Sequence, residues 1–119
     1  MSSKPIRIPG PDHPITIEPT PGRVVVRLGD RIIADTDEAL TLREASYPAV
    51  HYIPRKHVDL ASLDASTHQT YCPYKGDASY LGAPGLPNSV WSYETPYEAV
   101  AAIAGHLAFY PDRFTISVE

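Results

Sequence analysis

The densest run of reactive side chains is His68-Gln69-Thr70-Tyr71-Cys72-Pro73-Tyr74-Lys75-Gly76-Asp77. In an extended segment side chains alternate, so His68, Thr70 and Cys72 share one face. A thiol near a lysine and a histidine has the makings of a nucleophile or redox centre: Cys72 would attack, His68 would serve as base, and Lys75 would favour the thiolate. The competing reading is an inert cysteine closing a strand, since free cysteine is among the most buried residue types. No Cys-x-x-Cys pair or papain-like signature decides between them.

A second cluster, Leu42-Arg43-Glu44-Ala45-Ser46-Tyr47-Pro48, pairs opposite charges at adjacent positions. In a strand those two point to opposite faces. With Arg43 turned inward beside tyrosines, a cleft there would grip an anion or a planar group. With both outward, the pair is a solvated face worth little. Aromatic residues recur at Tyr47, Tyr52, Tyr71, Tyr74, Tyr80, Trp91, Tyr93, Tyr97 and Tyr110. Eight tyrosines against two phenylalanines is a polar bias, and a pocket or interface uses the hydroxyl that a core does not need. His13, His51, His57, His68 and His106 have no metal-ligand spacing, so no metal site is expected. Asp35-Thr36-Asp37 resembles the paired aspartates of a nucleotidyltransferase, but no glycine-serine helix start precedes it. No phosphate loop, dinucleotide fingerprint or Gly-x-Ser-x-Gly elbow is present, and no cofactor is implied.

These residues must be held by short extended elements. Thirteen prolines in 119 residues disfavour long helices and wide central sheets. Lys4 to Pro21, with six of those prolines, reads as an arm laid along the domain with a strand at Ile15–Glu18, and Ile6 and Ile8 alternate as half-buried chain would. Residues 1–7 form its free end. Arg23–Leu28 and Arg31–Asp35 flank Gly29-Asp30 as a tight hairpin. Ala39–Ala45 and Tyr47–Ile53 read as strands, and Pro54–Leu63 as one or two helical turns. Thr67–Cys72 and Asp77–Tyr80 form a second hairpin, Gly82–Asn88 a loop, and Val90–Tyr93 a strand. Thr95-Pro96-Tyr97-Glu98 fits a capping box opening a helix that Gly105 ends. Leu107–Tyr110 and Phe114–Val118 suggest a closing hairpin. The sum is a single mainly β domain over residues 1–119, two antiparallel sheets on one core with one or two short helices.

A formal net charge of −4 argues against a nucleic-acid or anionic-membrane partner. No apolar run reaches the ~20 residues of a membrane span. One cysteine excludes an internal disulfide, and a start without an apolar core points to the reducing cytoplasm.

The strings IPGPDHPITIEP (8–19), ADTDEALTLREASYPAVHYIPR (34–55), HQTYCPYKGDASY (68–80) and VWSYETPYEAV with HLAFYPDRF (90–114) resemble the DUF427 family over nearly the whole chain. That resemblance implies a β-tent, Mss4-like fold, with two sheets meeting at an angle. The family also carries a nucleotidyltransferase-like label, whose catalytic signature this chain lacks. Zinc in other β-tent proteins is held by two Cys-x-x-Cys pairs, and with one cysteine it does not carry over. Three functions follow as expectations. The first is a binding module whose cleft, lined by Arg43, Tyr47, Tyr52, Trp91 and Tyr93 beside His68, Cys72 and Lys75, takes a small polar or anionic ligand. The second is an enzyme using Cys72, His68 and Lys75. The third is an interaction domain with an exposed apolar patch. Oligomeric state is not legible.

Overall fold

A computed structural model describes residues 4–119. The chain is mainly β, as expected, and every strand pairing is antiparallel. The ten strands are β1 (Ile15–Pro19), β2 (Val24–Leu28), β3 (Arg31–Thr36), β4 (Leu40–Glu44), β5 (Val50–Tyr52), β6 (Asp64–Cys72), β7 (Gly76–Ala83), β8 (Leu86–Ser92), β9 (Leu107–Phe109) and β10 (Thr115–Val118). They form three sheets in place of the expected two: β1-β4-β5, β10-β2-β3 and β6-β7-β8-β9. A bridge between Ile53 and Leu107, with hydrogen bonds of 2.8 Å in both directions, ties the first to the third.

The extra sheet follows from strands that are apolar on both faces. In β9, Leu107 and Phe109 point into one core while Ala108 points into another. Val90 and Ala83 join the first core, and Ala78 and Tyr80 the second. Strands β7 to β9 of the four-stranded sheet are therefore covered on both sides, by Val24, Val26 and Ile33 on one and Leu42, Tyr52 and Ile103 on the other, while β6 is largely exposed. Two cores replace the single expected one. Each fully buried aliphatic side chain contributes roughly 1.5–3 kcal/mol.

Local signals resolve as follows. Gly29, at φ 59°, takes the left-handed position that a primed hairpin turn needs between β2 and β3. The expected loop over 82–88 is a second tight hairpin, with Ala83 opposite Leu86 and Pro84-Gly85 at its tip. Proline favours the first central position of such a turn, and Gly85 at φ 75° suits the second. The helices are single 3-10 turns at Arg55–His57, Leu60–Ser62 and Glu98–Ile103. The capping box does not form. Tyr97 is held extended by its N–H donating to the Lys75 carbonyl at 3.1 Å, so the turn starts later and no side chain caps it. The closing hairpin does not form either: β9 pairs with β8 and β10 with β2, because Phe109 and Phe114 meet edge to face at 5.1 Å between two sheets.

The arm does lie along the domain. Arg7 N–H donates to the Pro73 carbonyl at 2.9 Å, the Tyr71 hydroxyl donates to the Pro5 carbonyl at 2.6 Å, and Lys4 pairs with Asp77 at 2.6 Å. Ile6 and Ile8, expected half-buried, are 60% and 79% exposed, because the arm is anchored through its backbone. The free end expected over 1–7 falls partly outside the described residues. Among those described, no helix is long and apolar enough to cross a membrane.

Candidate functional site

Strand β4 decides which charge faces inward. Leu42 is 1% exposed in the second core, and Glu44, two residues on, shares its face. Arg43 is therefore on the opposite face, exposed, and the inward arginine expected from sequence is replaced by an inward glutamate. A one-residue slip would bring Arg43 in only by expelling Leu42.

Two other segments close on Glu44. The β6–β7 turn, fixed by Lys75 N–H to the Cys72 carbonyl (3.2 Å) and by Gly76 at φ 107°, carries Lys75 Nζ onto Glu44 Oε1. The arm turns back on itself where Gly10 and His13 exchange backbone hydrogen bonds, and His13 Nε2 then reaches Glu44 Oε2 at 2.7 Å. Tyr74 stacks flat on His13, ring centroids 3.9 Å apart. Glu44 and Lys75 side chains are each only 12% exposed. Burial alone would raise the Glu44 pKa, but the hydrogen bonds from Lys75 and His13 outweigh it and hold the carboxyl below its usual 4.5.

Glu44 and Lys75 form the polar end of a cavity of about 220 Å³, and His13 holds the carboxylate from outside its lining. Its apolar floor is Leu42 and Val50, and its walls are aromatic. Trp91 Nε1–H donates to the Tyr52 hydroxyl at 3.2 Å, with the rings edge to face. Tyr110 packs on Trp91 at 4.6 Å, and Tyr93 lies under the Lys75 ammonium at 5.8 Å. Tyr47, 63% exposed, stands at the lip with Pro48. Burial pushes the Tyr52 phenol up to about 12 even though the Trp91 hydrogen bond opposes it, and burial likewise raises Tyr93. Tyr52 and Tyr93 therefore stay neutral near pH 7 and offer hydrogen bonds, not charge.

The cavity thus gathers Tyr47, Tyr52, Lys75, Trp91 and Tyr93. It leaves out Arg43, His68 and Cys72. His68, exposed, packs on Tyr80 at 4.7 Å in a neighbouring hollow. Cys72 is half-buried against the second core. His68 and Cys72 do share a face, but four residues of strand separate them by roughly 13 Å. A base must approach to ~3 Å, so the Cys72–His68 dyad is not assembled, and Lys75 is engaged by Glu44. Glu44, His13, Tyr80 and Tyr110 belong to the site without having been assigned to it from sequence. Glu44 was recoverable from the burial of Leu42. His13 has no local signal, since its partner is 31 residues away. Among the described residues no three His, Cys, Asp or Glu side chains gather as metal ligands.

The chain belongs to the family of the domain of unknown function DUF427, whose family model matches residues 16–119. The match starts at the first strand, so the arm that carries His13 lies outside it. No curated protein matches the chain.

Proposed function

We propose that the chain is a small-molecule-binding module whose ligand is planar and carries a group that both donates and accepts hydrogen bonds. One observation carries the reading: six aromatic side chains and a largely buried Glu44–Lys75 pair converge on one concave site. A buried ion pair contributes little net stability over an apolar replacement. Its placement at the end of an aromatic cavity is what a binding site requires. Lys75 offset by Glu44 leaves that end near neutral. A ligand group there meets an ammonium donor and a carboxylate acceptor together.

At about 220 Å³ the cavity is below the ~300–1,000 Å³ of drug-sized sites, so the part of the ligand held here is small. The reading takes the sheets carrying β5 and β8 as the two walls of a β-tent, with the cavity at their junction. It takes the cytoplasm as the setting in which a lone Cys72 stays reduced. Cys72 does not line the cavity, and no geometry favours a thiol reaction.

Trp91 is the one tryptophan and stands in the cavity wall, which makes it a site-specific reporter. Benzamide, nicotinamide and adenine, titrated separately, test the reading by Trp91 fluorescence and by its single indole N–H resonance. A ligand of about ten heavy atoms at roughly 0.3–0.5 kcal/mol per atom binds in the millimolar range. At least one probe should saturate both signals, and Tyr110→Ala should weaken it severalfold. Silence from all three up to about 20 mM, well above that range, overturns the reading.

A further inference from the structure

A second hollow, of about 350 Å³, opens on the far side of Tyr80 and Tyr110. Those two tyrosines line both hollows, so they form the partition. Tyr80 is braced from below by Thr70 Oγ1 at 2.9 Å. Tyr110 is 36% exposed and stands at the open rim. The first hollow is aromatic with a neutralised polar end. The second presents Arg113, the His68 ring, Asn88 and the Ser89 and Thr70 side chains. Arg113 has one carboxylate near it, its neighbour Asp112 at 3.8 Å, and both side chains are exposed. Such a pair is weak and easily exchanged for another anion. Arg27, Arg31 and Arg55 are turned to other partners: Ser117, Asp59 and Glu94. Arg113 lines the second hollow itself, so its guanidinium is a cation beside the aromatic cavity that a bound anion can recruit.

We infer that the two hollows are one bipartite site: the planar head of a ligand lies against Trp91 and Tyr110, and an anionic tail, carboxylate or phosphate, passes the Tyr80–Tyr110 partition to Arg113. The inference rests on the binding reading above and adds the class of ligand, a planar head with an acidic tail. Arg113 is suited to either anion, because its planar fork pairs with both bidentately. His68 and the hydroxyls complete the tail site with further hydrogen-bonding groups. Asp112 competes with the tail for Arg113.

Four probes with one head separate charge from size: benzamide, N-benzoylethanolamine, N-benzoylglycine and the phosphate ester of N-benzoylethanolamine. Each is titrated while the Trp91 indole N–H is followed. The two anions should bind at least about fivefold more tightly than the neutral alcohol, the gain expected of a charge-assisted contact at a half-exposed arginine. Arg113→Ala should abolish that difference without weakening benzamide. Asp112→Asn should enlarge it. Whichever anion gains more identifies the tail chemistry. Both substitutions are on an exposed turn, so folding is not at risk. Equal binding of anions and alcohol overturns the inference and leaves the binding reading standing. An anion preference that survives Arg113→Ala also overturns it, since the charge is then read elsewhere. If benzamide and all its derivatives leave Trp91 unmoved, the inference falls, and the binding reading falls with it only if nicotinamide and adenine are silent too.

Discussion

Replacing Glu44 or Lys75 singly, and then both together, tests whether the buried pair is coupled as its geometry implies. Both side chains are 12% exposed, and Glu44 also accepts from His13. Removing one member of a fully buried pair costs about 3–5 kcal/mol, because the survivor is left charged without its partner. The cavity mouth admits water here, which lowers that to about 2–3 kcal/mol for Glu44→Gln or Lys75→Met. The double variant has no stranded charge and should cost about 1 kcal/mol or less. The coupling in the cycle is then about 2 kcal/mol or more. Urea denaturation followed at Trp91 reads all three. Each single variant should also lose roughly 6–12 °C in Tm for a chain of this length. Additive single effects, with coupling below about 0.5 kcal/mol, would refute the argument.

The same pair fixes an acid limb. Glu44 is held below 4.5 in the folded chain, so its contribution is fully present above that value. It is lost as pH falls through the lowered native pKa, because the unfolded chain takes up the proton first. The stability gap between wild type and Glu44→Gln should narrow across that acid window. A gap that stays constant down to the acid transition contradicts the assignment.

Three further outcomes follow. Cys72→Ala should leave probe binding at Trp91 unchanged and cost about 1 kcal/mol of packing in the second core; loss of binding would put the thiol back in the site. Tyr52→Phe strands the Trp91 indole N–H, which should cost about 1–2 kcal/mol and shift its resonance, and an unmoved resonance would show the hydrogen bond is not formed. Gly22→Ala should destabilise far more than Gly29→Ala: both glycines have positive φ, but a Cβ at residue 22 strikes the Glu119 carbonyl while one at 29 meets open space. Equal melting temperatures for the two variants would deny that the C-terminal strand end is fixed against Arg23.

Signals that act over two or four residues were legible. The Gly29-Asp30 turn and the alternation of Ile15 and Ile17 each act locally and each led to the right element. Failures came where a distant partner overrides a local preference. Thr95 and Glu98 have capping chemistry, but the Lys75 carbonyl takes the Tyr97 N–H and the helix start moves. Leu107–Tyr110 and Phe114–Val118 look like a hairpin, yet each joins a different sheet to cover a different core. Arg43 and Glu44 could not be assigned to faces by their own chemistry. Leu42, the apolar neighbour, assigns them, and its burial outweighs any preference of the charged pair.

The polar end of the cavity is the extreme case of that dependence. His13, Glu44 and Lys75 come from the arm, β4 and the β6–β7 turn, with 31 residues between each histidine or lysine and the glutamate. No segment carries two of the three, so the desolvation is offset only as these elements dock on one another. A site assembled this way is formed only in the folded chain, and its carboxylate reports on docking of the arm. The family match begins beyond His13, so the Glu44–Lys75 pair belongs to the matched domain and the third contact is an addition made by the arm. The ion pair sets the charge at the polar end of the cavity, and His13, stacked on Tyr74, holds the second oxygen of the same carboxylate.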